Sequence, residues 1–224
     1  MQLETYPDRE MLFLQLANVL AADLGEFLRR DGTATFSVPG GTTPGPVFDT
    51  LSGVDLNWPQ VKVILNDERW VPESNPRSNT RLLRKRLLTG QAAKAQLLPL
   101  YSPGADSPEE AIPTLEDSFR PHLPISVLLL GMGADMHTAS LFPGADRLEE
   151  AMSDTDRLIL PMRADVAGEP RVTLTAPVLR AAIKIHVLIL GAEKRAALDR
   201  AMTLSPIEAP IRAVLDDAVV HWAK

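Results

Sequence analysis

The glycine-rich segment after residue 130 combines a histidine and an aspartate in the way that a general base requires. Asp135 and His137 follow the apolar run 127–130, which predicts a buried strand. Open α/β folds hold their ligands where such strands end. A neutral imidazole takes a proton from water near pH 7, and a nearby carboxylate orients it or stabilises its cation. The segment therefore predicts a general base; the alternative is a histidine that only donates a hydrogen bond to the backbone.

A second segment, Gly40-Gly41-Thr42-Thr43, lies between a predicted strand and a predicted helix. Its glycines let backbone N–H groups approach an anion, its threonine hydroxyls donate hydrogen bonds, and the helix N-terminus adds positive potential. These features predict a phosphate-binding loop. The alternative is a tight turn in which Thr43 caps the helix, and both interpretations stay open.

The third segment, Asp67-Glu68-Arg69, places opposite charges just after the buried strand 61–65, where an unpaired charge is costly. Arg69 can bind a phosphate through two donors, and Asp67 can bind sugar hydroxyls or accept a proton. An internal ion pair explains the same residues equally well.

Other chemistries lack the residues that they need. The chain has no cysteine, which excludes disulfides, thiol nucleophiles and thiolate metal sites, and no two histidines have the spacing of metal ligands. Met136 stands where the dinucleotide fingerprint needs its third glycine, and no Gly-x-Ser-x-Gly elbow occurs. We therefore expect neither a metal nor a cofactor.

The charge balance argues against polyanionic partners. With 23 basic and 29 acidic residues, the net charge is −6, so nucleic acid and anionic membrane surfaces are not expected to bind. The basic run from Arg77 to Arg86 is interpreted as a solvated helix face. The N-terminus is polar, and no apolar run is expected to reach the roughly 18 residues that span a bilayer. A cytoplasmic protein follows, with a reducing compartment suited to the lack of cysteine.

Strands must place the three segments at one edge of a sheet. Helical spacing predicts helices at 8–30, 47–53, 79–88, 109–120, 176–182 and 191–202, and apolar runs predict strands at 33–38, 61–65, 125–130, 158–160, 172–174, 184–190 and 218–222. This alternation predicts an α/β fold, with a Rossmann-like open, mostly parallel sheet and helices on both faces. A length of 224 residues, 45% of them hydrophobic, predicts a single domain over 1–224.

Five motifs in order resemble the 6-phosphogluconolactonase family, within the superfamily of glucosamine/galactosamine-6-phosphate isomerases. They are Gly40-Gly41-Thr42-Thr43-Pro44, then Asp67-Glu68-Arg69-Trp70-Val71-Pro72 with Ser78-Asn79, then the segment Gly131 to Gly144, then Pro170 to Thr175, and finally Gly191 to Lys194. Each motif alone is weakly specific, but together they cover nearly the whole chain. The long His-Thr-Ala-Ser-Leu-Phe-Pro-Gly run makes coincidence improbable.

The resemblance implies a metal-free and cofactor-free cytoplasmic hydrolase of the oxidative pentose phosphate pathway, which opens 6-phospho-D-glucono-1,5-lactone to 6-phosphogluconate. It implies a small sugar phosphate as the partner, and a monomer is favoured. By motif, the catalytic positions are His137 with Asp135, and the substrate-binding positions are Gly41, Thr42, Thr43, Asp67, Arg69, Arg171 and Lys194. Lys194 lies in the first turn of its helix, where the dipole disfavours a cation, and a bound phosphate would explain it.

The sequence leaves three features of the site and two alternative functions open. The family commonly has glycine where this chain has Met136, and a methionine is strained there if the turn needs a positive φ. Either Asp67 or Asp135 can support His137, and the N–H groups of the Gly131 to Gly133 turn are candidate oxyanion donors. A hexosamine-6-phosphate deaminase or isomerase and a non-enzymatic sugar-phosphate-binding regulator are the alternative functions.

Overall fold

Strands and helices alternate along the chain. The computed structural model describes residues 1–224. The strands are β1 (Gln2–Thr5), β2 (Ala34–Val38), β3 (Val61–Leu65), β4 (Asp67–Arg69), β5 (Gln96–Leu98), β6 (Val127–Gly131), β7 (Ile159–Met162), β8 (Arg171–Leu174), β9 (Lys184–Leu190) and β10 (Val219–Ala223). The α-helices are α1 (Arg9–Asp31), α2 (Gly45–Leu51), α3 (Asn79–Arg86), α4 (Pro108–Phe119), α5 (Leu148–Met152), α6 (Ala176–Arg180), α7 (Gly191–Ala201) and α8 (Arg212–Leu215). Single 3-10 turns lie at Trp58–Gln60, Gly90–Lys94 and Arg120–His122.

Seven strands form one parallel sheet in the order β1-β10-β9-β6-β2-β3-β5. The chain runs outward from β2 through β3 to β5, then returns to β6 and runs the other way through β9 to β10. Neighbouring crossovers therefore diverge between β2 and β6, and an open α/β sheet has its ligand crevice at such a switch point. The predicted fold class is confirmed, and the switch point lies at the two glycine-rich segments that follow β2 and β6.

Residues 67–69 belong to a second, three-stranded antiparallel sheet that was not predicted. They form strand β4, which pairs with β8, and β8 in turn pairs with β7. The register sets Asp67 opposite Thr173 and Arg69 opposite Arg171. The first and third residues of β4 share a face, because side chains alternate along a strand. This pairing brings together charges that lie about a hundred residues apart in the sequence.

Helix α1 has clear start and stop signals and one buried face. The side chain of Asp8 caps it by accepting from Met11 N at 2.8 Å, and Gly32 ends it with φ 76°. Its buried leucines pack towards the sheet. The expectation that no segment is long and apolar enough to span a membrane is wrong on length and composition, because α1 meets both criteria. The core helix of a soluble protein meets the same criteria, and 44% of the apolar window of α1 is buried.

Several short elements were not predicted. Strand β1 lies in the polar N-terminal segment, which carries no apolar run, and it pairs in parallel with β10 at the sheet edge. Strand β5 and helices α5 and α8 span only 3, 5 and 4 residues. Elements of this length hold too few residues for a period to be recognised, and their tertiary neighbours determine them instead.

Three of the five basic side chains between Arg77 and Arg86 form salt bridges with nearby acids. Arg84 Nε lies 2.6 Å from Glu73 Oε1, while Arg77 pairs with Glu169 and Arg86 pairs with Asp49. These contacts favour the interpretation as a solvated face, because a polyanion would have to displace each acidic partner.

A buried chain of polar groups links α1 with β9 and β10. His186 Nε2 donates to Asp23 Oδ2 at 2.9 Å, so its Nδ1 accepts from His221 Nε2 at 3.0 Å. The Tyr6 hydroxyl then donates to His221 Nδ1 at 2.8 Å. Every ring nitrogen is therefore satisfied with both histidines neutral. Burial, followed by the proximity of the titratable His186, lowers the pKa of His221 to about 4, against a smaller raising effect of Asp23.

This chain of histidines predicts acid sensitivity of the fold. The pKa of His221 in the folded state lies below its unfolded value of about 6.5, so the unfolded state binds the extra proton. The stabilisation is complete above pH 6.5 and is lost as the pH falls towards 4, with a total on the order of 3 kcal/mol. Urea unfolding between pH 7 and 4.5 measures this loss. His221→Gln keeps one donor and one acceptor without a titrating ring, and it should flatten the profile; an unchanged slope would contradict the assignment.

Candidate active site

A cavity of about 280 Å³ opens at the switch point of the parallel sheet. The segments that follow β2, β3, β6 and β9 line it, together with β8 of the smaller sheet. It collects the following predicted site residues: Gly41, Thr43, Asp67, Arg69, His137, Arg171 and Lys194. Thr42 and Asp135 are not among its lining residues. One imidazole and three cationic side chains therefore face a common space, although they come from four separate segments.

His137 is held by Asp135 and has one ring nitrogen free. Its Nδ1 donates to Asp135 Oδ1 at 2.6 Å, and its backbone N–H donates to the same oxygen at 3.2 Å. No group of the chain bonds Nε2, so this tautomer leaves Nε2 as the proton acceptor. Partial burial raises the pKa of Asp135, but the adjacent His137 lowers it by more, and the net result lies below the usual value. Asp135 is thus an anion that orients the base without lining the cavity.

In the turn before His137, Met136 adopts the positive φ at which a methionine is strained. Met136 has φ 65°, so a side chain does occupy a left-handed position, and its side chain is 7% exposed within the core. Burial of the methionine offsets a strain on the order of 1 kcal/mol. Gly133 N donates to His137 O at 2.9 Å. The proposal of Gly133 N–H as an oxyanion donor is therefore wrong, because that donor is already used.

Gly133 is required by the close approach of His137 and Asp135. A Cβ at this position would lie 2.1 Å from His137 Nδ1 and 2.2 Å from Asp135 Oδ1. Gly133→Ala should therefore push the imidazole off its carboxylate and lower kcat by about 10- to 100-fold, since misplacement by 1 Å costs up to that much. Steady-state kinetics measure the effect. Gly104→Ala is the matched control because a Cβ there meets nothing within 4 Å; equal kcat for both variants would contradict this assignment.

Arg69 and Arg171 present two guanidinium groups from opposed positions of β4 and β8. In each of them, a buried Nε–H has no hydrogen-bond partner. Arg171 donates to Asp67 Oδ2 at 3.3 Å and to Ala167 O at 3.2 Å, and Arg69 donates to the carbonyl of Arg77. Burial, only partly opposed by Asp67, lowers the pKa of Arg171. Buried donors without acceptors cost free energy, so this pair favours an anion in the cavity.

Asp67 supports Arg171 and has no hydrogen bond to the imidazole of His137. Its Oδ2 accepts from Ser140 Oγ at 2.5 Å as well as from Arg171. Asn79 Nδ2 lies 3.5 Å from its Oδ1. The question of which aspartate supports His137 is therefore settled by geometry in favour of Asp135. The internal ion pair that the sequence left open is present, but its partner is Arg171 and not the adjacent arginine.

The glycine loop after β2 keeps its backbone donors free. No N–H group from Gly40 to Thr43 donates a hydrogen bond within the chain. Gly41 has φ 78°, and a Cβ on Gly40 would overlap the side chain of Asn79 at 2.0 Å. Thr43 does not cap α2: the capping position is Pro44, which makes no side-chain bond. The alternative interpretation of this loop as a threonine cap is therefore wrong.

Lys194 is the fourth residue of α7, lines the cavity and forms no salt bridge. It therefore brings a positive charge without a salt-bridge partner to the cavity wall. The helix dipole disfavours a cation in the first turn, and an anionic ligand in the cavity would offset this effect.

Four residues that hold the site together, Glu68, Asn79, Ser140 and Phe142, were not predicted as site residues. Glu68 is fully buried; its carboxylate accepts from the N–H groups of Asn79 and Thr80 at 2.8 and 2.7 Å, so it fixes the start of α3. Asn79 in turn fills the space that Gly40 leaves. Ser140 and Phe142 belong to the same loop as His137. The sequence analysis included Ser78 and Asn79 in a motif, but the residues next to them do not indicate that they bind the carboxylate of Glu68.

Comparison with known proteins agrees with this geometry. The model of the family described as glucosamine-6-phosphate isomerases/6-phosphogluconolactonase matches residues 7–222. A protein from Mesorhizobium japonicum named 6-phosphogluconolactonase is 44% identical over 224 residues, which cover 97% of this chain and 93% of that protein. A crystal structure described as a 6-phosphogluconolactonase from Shewanella baltica superposes with a TM-score of 0.95 at 31% identity, covering 100% of this chain and 98% of the other.

A more distant structure shares the fold alone. A protein described as a monomeric glucosamine-6-phosphate deaminase superposes with a TM-score of 0.80 at 16% identity, covering 100% of this chain and 98% of the other. The same sheet and switch point therefore occur with more than one activity, and the choice between activities depends on the side chains of the cavity.

Proposed function

The chain belongs to the family of glucosamine-6-phosphate isomerases and 6-phosphogluconolactonases, and we propose that it hydrolyses 6-phospho-D-glucono-1,5-lactone to 6-phosphogluconate. One observation carries this proposal. The His137 imidazole, with Nδ1 2.6 Å from Asp135 Oδ1, shares a cavity of about 280 Å³ with three cationic side chains and a loop of free backbone N–H groups. Such a cavity holds an anionic ligand beside a base.

Binding starts with the phosphate group. The guanidinium groups of Arg69 and Arg171 offer charge-assisted donors, Lys194 adds a third cation, and the N–H groups of residues 41–43 with the Thr43 hydroxyl complete the shell. Asp67 holds Arg171 in place through Oδ2, and its carboxylate can also accept hydrogen bonds from sugar hydroxyls. These contacts hold the phosphate and so fix the lactone ring relative to His137. The barrier to hydrolysis falls because the reacting groups are already in position.

His137 then acts first as a base and next as an acid. Its Nε2 takes a proton from a water molecule as the water oxygen attacks the lactone carbonyl carbon, and a tetrahedral intermediate forms. The imidazolium is stabilised by the Asp135 anion at Nδ1. Collapse of the intermediate breaks the bond to the ring oxygen, which receives the proton from Nε2. The product is the open-chain hydroxy acid, and the imidazole returns to its neutral state.

The backbone N–H of Met132 is the remaining candidate oxyanion donor in this turn. It makes no hydrogen bond within the chain, and Met132 lines the cavity. We include it in the proposed site because the developing oxyanion needs a donor that is not already used.

The proposal also covers the setting of the reaction. We propose that the active unit is a monomer. The reaction belongs to the oxidative pentose phosphate pathway, and we propose that it takes place in the cytoplasm without a metal or cofactor.

A paired assay tests the proposed function. Freshly generated lactone is supplied with 6-phosphogluconate dehydrogenase and NADP⁺, and the spontaneous opening is subtracted. In parallel, glucosamine 6-phosphate is supplied and ammonia is measured. The account predicts enzyme-dependent opening of the lactone and no ammonia. Ammonia release would assign the chain to the deaminases, and binding of 6-phosphogluconate without either reaction would indicate a non-enzymatic sugar-phosphate-binding protein.

A further inference from the structure

Phe142 lies between the base and the anion-binding face. Its ring centroid is 4.3 Å from that of His137, with 35° between the two planes. On the same ring, the guanidinium carbon of Arg171 lies 5.5 Å from the centroid. We propose that Phe142 is a positioning residue that sets the imidazole and the guanidinium relative to each other; this inference rests on the proposed function of the site.

The surroundings of Phe142 are unlike those of the core phenylalanines. The side chain is 6% exposed, yet it is not part of the contiguous cluster of 57 buried apolar residues that forms the core. Phe119, at 1% exposure, belongs to that cluster. The ring of Phe142 is therefore buried outside the contiguous core, and it contacts two of the predicted site residues, His137 and Arg171.

The Phe142 ring limits a rotation of the His137 imidazole that the hydrogen bond to Asp135 permits. The bond from Nδ1 to Asp135 holds one edge of the imidazole but permits the ring to swing about that edge. A flat aromatic face at 4.3 Å blocks this swing on one side. Nε2 therefore keeps its direction towards the cavity.

The same ring supports Arg171, a cation that is largely removed from water. Asp67 and the carbonyl of Ala167 bind its Nη atoms, while Nε stays unpaired. An aromatic face within about 6 Å attracts a guanidinium and orients its plane. Because one ring touches both groups, its loss should disturb the chemical step and the binding step together.

The loop that carries Phe142 is itself pinned to the cation-bearing strands. Ser140 donates from Oγ to Asp67 Oδ2 at 2.5 Å, and its backbone N–H donates to Thr173 Oγ1 at 3.2 Å. Thr138 Oγ1 donates to Gly131 O at 2.9 Å. These bonds fix the loop on both sides of the site, so that the ring of Phe142 is presented in one place.

Phe142→Leu tests the inference, because leucine keeps most of the volume but lacks a flat aromatic face. We expect the folded variant to show kcat lower by about 10-fold from the loosened imidazole. KM should rise by about 5-fold from the loosened guanidinium. Phe142→Tyr should restore both constants to within about 2-fold of the unsubstituted enzyme. Phe119→Leu is the matched control: it removes a buried ring from the core and should lower the melting temperature without changing kcat or KM.

Product affinity provides a readout that does not depend on turnover. Calorimetry with 6-phosphogluconate should show a roughly 5-fold weaker affinity for Phe142→Leu. Unchanged kinetics and affinity in a folded Phe142→Leu, or the same changes in Phe119→Leu, would overturn the inference. An unsubstituted protein without lactone hydrolysis would instead refute the proposed function, and the calorimetric comparison would still decide whether the ring positions Arg171.

Discussion

Replacement of His137 by Asn should lower kcat by about 10²- to 10⁴-fold and leave KM within a few-fold of its original value. Asparagine retains a donor that can reach Asp135, so the turn is expected to keep its shape. It has no group that takes a proton from water and returns it to the departing ring oxygen. The cations and the glycine loop remain, and substrate binding is therefore kept. Initial rates with freshly generated lactone, after subtraction of spontaneous opening, measure both constants.

The control for this variant is His122→Asn. His122 lies in the 3-10 turn before β6 and does not line the cavity. Its replacement should leave both constants unchanged. Turnover close to that of the unsubstituted enzyme in His137→Asn would remove the general-base role, and a large rise in KM with constant kcat would mean that His137 only binds substrate.

Replacement of Arg171 by Ala should raise KM by roughly 30- to 1,000-fold with a smaller change in kcat, because a buried charged donor to the substrate is lost. The guanidinium is 8% exposed, is fixed by Asp67 and has one N–H free for an acceptor. Its removal also leaves Asp67 buried without its cation, which costs about 3 to 5 kcal/mol of stability. Both the Michaelis constant and the free energy of unfolding should be measured.

A second substitution separates these two effects. In Asp67→Asn with Arg171→Ala, the unpaired carboxylate is gone while the side chain still accepts from Ser140. Stability should recover, but KM should stay high. Arg180→Ala is the surface control, since Arg180 pairs with Asp154 away from the cavity and should affect neither constant. Recovery of substrate affinity in the double variant would show that Arg171 acts only through stability.

The sequence predicted those parts of the fold that local patterns determine. Apolar runs and helical spacing identify β3, β6, β9 and the long helix α1, and their alternation predicts a parallel sheet. The position of the site follows, because glycine-rich segments directly follow β2 and β6 at the carboxyl edge. The convergence of His137, Arg171 and Lys194 on one cavity agrees with the set of residues chosen from the motifs.

The parts that the sequence did not predict depend on contacts between distant segments. Nothing in Asp67-Glu68-Arg69 shows that these residues form a strand, because their partner strand begins at Arg171. Nothing in Gly133 shows that a Cβ would collide with His137, since the collision arises from the shape of the turn. Phe142 looks apolar in sequence, and only tertiary packing places its ring between an imidazole and a guanidinium.

We expect one sugar phosphate to contact the His137 imidazole and the cations of the cavity at the same time. Titration of isotopically labelled protein with 6-phosphogluconate, followed by NMR of the His137 ring and of the Nε–H groups of Arg69 and Arg171, tests it most directly. The account predicts that all three signals shift along one binding curve with one dissociation constant. Shifts of the arginine signals without any response of His137, or curves with different constants, would contradict it.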